Sequence, residues 1–470
     1  MGSRCDTPSI LATCLLSVVG SAVPSRLHTP TPTPLGRRRS ERTERVGPYD
    51  RTVSTTPTPP SRRIRDWAES GVAVLTGRAD GPPVIPPGDA AAIARHHSSH
   101  VCAAAGLAGR DLAVDGARLL SERAAFTGTS RHGDVTVGGS GRLLPTADGW
   151  AAVSCARPDD PVLLGALICA DVDLVDPWPA VAGWLAAHPG EELADRAEML
   201  GIAAAPVRPR TPPRRMSLGA PRSVDGLLVV DFGSLWAGPL CAHLLGLAGA
   251  RVVKIETPGR PDGARRGNPD FYTLLHGGHQ SVCLDPARPA DRAALSELVA
   301  AADVVVEASR PRALAGFGLD AAESVARGTT WVSITAAGRA SGRVGFGDDV
   351  AAAAGLVASD VTGPMFVGDA IADPLTGLAA AALVCSADAP GRLIEVSMTD
   401  VVAATLTGCA EASPAARRDG RAWVVDTEDG VVEIAEPRTR PATGEAPELG
   451  RDTAAVLRSL GIPTAGVSTL

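Results

Sequence analysis

Between residues 222 and 410 the chain alternates short apolar runs with stretches of helical spacing, which restricts the fold more than any other feature. LLVVDF (227–232), RVVKIE (251–256), DVVVE (303–307), WVSIT (331–335) and Leu393–Met398 read as buried strands. Between them, Gly238–Leu247 places Leu240, Leu244 and Leu247 on one helical face, and Arg292–Ala301 and Pro374–Cys385 read as further helices. Strands that alternate with helices cannot pair as hairpins. The expected fold class is α/β, a doubly wound parallel sheet with a smaller α+β domain beside it.

The flanks read differently. Residues 1–62 carry Thr/Pro alternation at Thr29–Pro34 and Thr55–Pro60 and a basic run at Arg37–Arg39. Such a composition buries too little apolar surface to offset ordering entropy, so disorder is expected. Residues 63–213 read as a small globular domain. In it Asp148–Val153 is a turn entering a strand, and Pro179–Ala187 and Glu191–Leu200 are short helices. Pro206–Arg215, rich in proline and arginine, reads as a linker, and 411–470 as a tail with a helix. A weak internal repeat relates ESGVAVLTGRADGPPVIPPGD (69–89) to AGLVASDVTGPMFVGDAIAD (354–373).

The formal charge of −7 gives no basic face for nucleic acid. Nine cysteines are scattered without Cys-x-x-Cys or metal-ligand spacing, the pattern of reduced thiols and no metal site. Ile10–Val19 resembles the core of a signal peptide, yet only Arg4 precedes it and no Ala-x-Ala follows. The reading is therefore a cytoplasmic protein that does not engage a membrane. Its Ala-, Gly- and Arg-rich composition suits a GC-rich bacterial genome.

The first strand runs into Phe232-Gly233-Ser234-Leu235-Trp236-Ala237-Gly238-Pro239. A strand, a glycine loop and a helix start together present free N–H groups and the positive end of a helix dipole to an anion. The second strand ends in Glu256, where a ribose acceptor would stand. The third glycine of a dinucleotide fingerprint is missing, so an NAD-dependent dehydrogenase ranks last among the enzyme readings.

Taken in series, these segments resemble the family III CoA transferases, of the formyl-CoA and carnitine-CoA transferase type, with the α-methylacyl-CoA racemases as relatives. The matching pieces are VDGLLVVDFGSLWAGPLCAHLLGLAGARVVKIETPG (224–259), SVCLD (281–285), ADVVVEASRP (302–311), GFGLD (316–320) and WVSIT (331–335). ESGVAVLTGRADGPP, TADGWAAV (146–153) and LGIAAAPV (200–207) resemble other pieces of the family. APELGRDTAAVLRSLGI (446–462) resembles its closing helix. The small-domain piece precedes the CoA-binding piece, an order that looks permuted or fused.

The resemblance implies coenzyme A as substrate rather than a permanently bound cofactor. It also implies a carboxylic acid acceptor, a homo-oligomer, and CoA exchange through an aspartyl anhydride and thioester. It places the catalytic aspartate at Asp373, with Asp369 as the neighbouring competitor. Pro374 reads as the first helical position, which puts Asp373 at the N-cap. The CoA-contacting loop maps to Ser234, Leu235, Trp236 and Ala237. Trp236 reads equally as an adenine-stacking surface or a core residue. Arg288 and Arg310 are the expected phosphate contacts, with Arg265 and Arg266 as further cations, because His279 and Ala287 stand where the family has lysines. Asp348 and Asp349 occupy the position of the racemases' His–Asp pair, without the histidine. Two alternatives stand beside the CoA transferase: an α-methylacyl-CoA racemase or epimerase, and a non-catalytic CoA-binding subunit.

Overall fold

The computed structural model describes residues 60–208, 216–308, 311–406 and 414–468. Helices α1 (Pro60–Glu69), α2 (Ala90–Gly106), α3 (Gly116–Leu119) and α4 (Glu122–Thr127) come first. Strands β1 (Gly141–Thr146), β2 (Gly149–Ser154) and β3 (Ala204–Pro206) then form an antiparallel sheet. Helices α5 (Asp160–Ile168), α6 (Trp178–Leu185) and α7 (Gly190–Leu200) lie between β2 and β3 in the chain.

The α/β region follows. It comprises β4 (Leu228–Asp231), α8 (Ala237–Leu247), β5 (Arg251–Glu256), α9 (Pro269–His276), β6 (Gln280–Cys283), α10 (Pro289–Ala300) and β7 (Val304–Glu307). It continues with α11 (Pro311–Ala315), α12 (Ala321–Ala326), β8 (Thr330–Thr335), α13 (Gly347–Ala353), a hairpin of β9 (Ala358–Asp360) and β10 (Gly363–Met365), α14 (Ala372–Val384), β11 (Leu393–Ser397) and α15 (Met398–Ala403). A three-stranded antiparallel sheet, β12 (Arg417–Asp419), β13 (Ala422–Thr427) and β14 (Gly430–Glu433), and α16 (Thr453–Ser459) close the described chain.

The six-stranded sheet has the order β11-β8-β7-β4-β5-β6, every pairing parallel. Its central strands are buried along their length, which is why they read as continuous apolar runs. From β4 the chain winds outward through β5 and β6, then returns to β7 and winds the other way. The reversal leaves a crevice at the carboxyl ends of β4 and β7, the usual ligand position in such sheets. Gly233 and Gly238 are required there. A Cβ on Gly233 would lie 2.8 Å from Gly238 Cα, and one on Gly238 would lie 2.9 Å from Ala308 Cβ.

Several expectations need correction. The expected end of the disordered segment at 62 falls inside α1, and the rest of that segment lies outside the described residues. The linker loses its first residue, Pro206, to β3, while 209–215 are not described. The C-terminal stretch holds a β-sheet as well as a helix. The apolar residues of 63–213 fall mainly into two clusters, while Leu143 and Ala152 pack in a third with Ala352 and Phe366. Ile64–Val137 share one core with α8, α14 and the sheet, whereas Ala151–Ala204 pack among themselves. The two copies of the weak repeat lead into α2 and α14, which pack against each other.

Helix α14 lies at the centre. From Pro374 to Val384 every residue is buried, and its alanines let α8 and α2 approach closely. Gly377 sets the limit, since a Cβ there would meet Ala237 O at 2.7 Å and Leu240 Cβ at 3.0 Å. Gly377→Val should therefore force α8 and α14 apart and cost ~1–3 kcal/mol of stability, the usual penalty of overpacking. The check is a denaturation midpoint beside Gly183→Ala, whose added methyl meets nothing within 4 Å and, inside α6, should raise the midpoint slightly.

Candidate active site

The crevice is built on a buried ion network. Lys254, in the middle of β5, lies against Asp262 at 2.9 Å and Asp231 at 3.8 Å, and its ammonium donates to the Gly233 carbonyl. Burial opposes its charge, but Asp231 and Asp262 outweigh that and raise its pKa. Asp262 also accepts the Leu235 N–H at 3.0 Å. The loop after β4 is thus held at both ends, and Leu235 takes a left-handed φ of 67°. Only Gly adopts that conformation without strain.

The loop residues divide by exposure. Ser234 and Leu235 face outward. Trp236 is 2 % exposed, its ring edge-on to Phe271 at 5.3 Å and 5.2 Å beneath the Arg123 guanidinium. Buried, with Arg123 over the ring, Trp236 fits the core reading rather than the adenine-stacking one. Ala237 turns its N–H to the Asp373 carboxylate.

Asp373 is not the N-cap. Helix α14 begins at Ala372 and Ile371 precedes it, so Asp373 lies in the first turn. That still sets the carboxylate at the positive end of the helix dipole. The side chain receives N–H groups from Ala237 and Gly347 and remains partly exposed. A Cβ on Gly347 would overlap its Oδ2, so glycine is needed for that approach. Burial pushes its pKa up to about 6, against the pull of Arg123 and the two N–H groups, with Asp349 adding to the rise.

Three more carboxylates surround it. Asp369, 1 % exposed, is gripped by Arg123, whose Nε donates at 2.9 Å and whose Nη2 donates to the other oxygen. Asp348 accepts the Ala370 N–H at 2.7 Å, holding Ala370 at a left-handed φ of 47°. Burial and the Asp369 charge raise the Asp348 pKa to about 7. Asp349 accepts from Ser154 Oγ at 3.1 Å and from the Phe346 N–H at 2.8 Å, with Arg343 at 3.8 Å. Burial pushes it to about 6.

The expected phosphate contacts do not converge here. Arg288 follows the edge strand β6, and donates to the Gly466 carbonyl at 3.2 Å with Asp291 at 3.8 Å. Arg310 lies outside the described residues. Arg265 is bound to Glu256, and Glu256 also accepts the Asp262 N–H, so it is not free to meet a ribose. Arg266 is exposed. His279 is buried, and burial holds its pKa near 3. Arg123, Ser154 and Arg343 were missed. Arg123 stands 246 residues before its partner Asp369 and belongs to no motif.

Residues 224–435 match a family model described as CoA-transferase family III. Over this region the chain is similar to the family III CoA transferases. A succinyl-CoA–D-citramalate CoA-transferase from Chloroflexus aurantiacus is 34% identical over 106 residues, 21% of this chain and 26% of that protein. A formyl-CoA:oxalate CoA-transferase from Rhodopseudomonas palustris is 34% identical over 104 residues, 21% of this chain and 24% of that protein. The match thus spans about a quarter of the length of these curated relatives. Among solved structures, a hypothetical protein from Mycobacterium tuberculosis is 27% identical with a TM-score of 0.39, covering 43% of this chain and 64% of that one. A CaiB/BaiF family protein from Brucella suis is 24% identical with a TM-score of 0.36, covering 45% and 65%. The family III region contains Asp373, Asp369, Asp348 and Asp349, whereas Arg123 and Ser154 precede it. Among the described residues no helix is long and apolar enough to cross a membrane.

A buried carboxyl with a raised pKa stabilises the fold in its neutral form. That stability is complete below the unfolded pKa and is lost as pH rises through the folded one. For Asp348 the loss runs from about 4 to about 7. Asp348→Asn keeps an acceptor for Ala370 and cannot ionise. Its melting temperature relative to wild type should therefore climb across that pH window. A difference that stays constant with pH would contradict the placement of Asp348 among like charges.

Proposed function

We propose that the chain is a CoA transferase of the family III type, with Asp373 as nucleophile and an acyl-CoA and a carboxylic acid as its substrates. The observation that carries this reading is the setting of Asp373. It is partly exposed, at a helix start beside the switch-point loop, with the Ala237 and Gly347 N–H groups on it and Arg123 nearby.

In the proposed reaction the Asp373 carboxylate attacks the thioester carbonyl of an acyl-CoA. The C–S bond breaks, CoA leaves as thiolate, and an acyl-aspartyl anhydride remains. The thiolate then attacks the aspartyl carbonyl and releases the first acid, leaving an aspartyl-CoA thioester. The acceptor carboxylate attacks that carbonyl and expels CoA thiolate, forming a second anhydride. Attack of the thiolate on the acceptor's carbonyl yields the new acyl-CoA and regenerates Asp373. No net proton or electron is consumed. The Ala237 and Gly347 N–H groups favour the anionic carboxylate that begins and ends the cycle.

Coenzyme A enters as a substrate and is not a resident cofactor in this reading. Ser234, Leu235 and Ala237 border its approach, while Arg288 is set aside because it lies at the sheet edge. A homo-oligomer remains part of the proposal through the family resemblance. The second reading, an α-methylacyl-CoA racemase, draws on Asp348, whose pKa near 7 suits proton transfer. Deuterium exchange at the acyl Cα without CoA movement distinguishes it.

Asp373→Asn should abolish transfer while CoA binding persists, because the amide keeps the size of the side chain and loses the nucleophilic oxygen. Hydroxylamine trapping, with the adduct located by peptide mass, should find the acyl group on Asp373 in wild type and none in the variant. Asp369→Asn should still form the adduct. Transfer by Asp373→Asn within about tenfold of wild type, a barrier change of only about 1.4 kcal/mol, would overturn the assignment. An adduct found on Asp369 instead would move it by one helical turn.

A further inference from the structure

We infer that Arg123, brought in by the N-terminal stretch, is a positioning residue of the Asp373 site. Fixed on Asp369 and packed over Trp236, it supplies the cation that keeps Asp373 anionic and fixes the turn that aims it. This inference rests on the reading of Asp373 as nucleophile.

The geometry is specific. Helix α4 is short; it delivers this side chain and sets Phe126 against Phe271, the ring edge-on to Trp236. The guanidinium grips both oxygens of Asp369, the parallel two-point contact that suits arginine and not lysine. Its flat face lies 5.2 Å from the Trp236 ring centre, so the tryptophan fixes its plane. Asp369 begins the turn that runs through Ala370 to Asp373, where the Asp373 N–H closes on the Ala370 carbonyl at 2.9 Å. Clamping Asp369 therefore sets the direction of the first turn of α14.

The charges support the same role. Burial works against the Arg123 charge, but Asp369, Asp348 and Asp373 together raise its pKa above the ordinary value. Of the groups acting on Asp373, Arg123 comes first after burial itself. The remaining groups can be named element by element. Helix α13 presents Asp348 and Asp349 and the Gly347 N–H, with Arg343 and Ser154 behind Asp349. The switch-point loop presents the Ala237 N–H. Helix α8 carries Cys241 and His243, the latter accepting from Arg440 at 3.2 Å. Helix α2 carries His97 and His100, and His100 meets Ser386 beyond the far end of α14. Helix α15 carries Asp400 in its first turn. Arg123 is the cation on this roster that acts directly on Asp373; Arg343 acts on Asp349.

The test is the pH profile of kcat/KM for acyl-CoA consumption by the full chain, with adduct mass as an independent readout. An opposite charge close to a carboxylate lowers its pKa by about 1–3 units. Arg123→Gln should therefore move the acid limb upward by about one unit or more. Arg123→Lys, which keeps the charge without the fork, should return the limb to the wild-type position at a reduced kcat. A folded Arg123→Gln with an unmoved limb overturns the inference and leaves only a structural brace. So does an Arg123→Lys limb displaced as far as that of Arg123→Gln. Should Arg123→Gln not fold, Asp369→Asn reads the same coupling from the other side. Relieved of that negative charge, Arg123 is left to Asp373 and Asp348 and the acid limb should move down; an unmoved or rising limb overturns the inference. A wild-type adduct found on a residue other than Asp373 sinks the nucleophile assignment itself, whereas an adduct on Asp373 with an unmoved limb sinks only the role of Arg123.

Discussion

The burial of α14 on all sides is the constraint from which the rest of the architecture follows. A helix can be enclosed by α8 on one side and α2 on another only if its side chains are small, and LTGLAAAALV (375–384) supplies them. Leu375 and Leu378 fill the gaps that the alanines leave, both fully buried. Close packing at organic-crystal density leaves such a helix no freedom to tilt or slide. Its N-terminal turn is therefore fixed relative to the sheet, and Asp373 with it. A carboxylate on a surface loop would lack that fixity.

Enclosure also sets the electrostatics. Four carboxylates share a buried region with Arg123 and Arg343, so ionising them all leaves negative charge without compensation. The consequence is a set of raised pKa values, about 6 for Asp349 and Asp373 and about 7 for Asp348. Arg123 and the Ala237 and Gly347 N–H groups pull Asp373 toward its charged form, while the Asp369 charge pushes Asp348 toward its neutral one. Burial costs the fold some stability here, as strain does at Leu235 and Ala370, and sites that bind or react commonly carry that cost.

The sheet was legible because its strands are buried on both faces, so each is a continuous apolar run bounded by turn residues. RVVKIE was read with the bounds the structure gives. The glycine loop at the carboxyl end of β4 followed from the order of strand, loop and helix, whereas the chain's return to β7 was not read from the sequence. Asp373 was legible through its segment, but its capping position was not. Pro374 is acceptable anywhere in a first turn, so it does not fix which residue is first. The phosphate and ribose assignments rested on counting from a motif, and counting does not reveal that Arg288 lies by Gly466 at the sheet edge or that Glu256 is already bound to Arg265. Arg123 was illegible in principle, since no local pattern relates a short helix to a turn 246 residues later.

The order of segments in the chain explains why that long-range contact carries so much. The region that matches the family III model spans residues 224–435 and brings its own sheet, switch-point loop and Asp373. It does not bring the cation for Asp369 or the hydroxyl for Asp349. Both arrive from residues before 224, Arg123 from α4 and Ser154 from the end of β2. Without Arg123, Asp369 would be an uncompensated charge at 1 % exposure, and a buried carboxylate in that state either takes up a proton or opens the structure around it. The apolar contacts point the same way, since Ile64–Val137 belong to the core that encloses α14. The N-terminal stretch is thus no appendage to a self-sufficient region: it closes the core behind the helix that carries Asp373 and sets the charge in front of it.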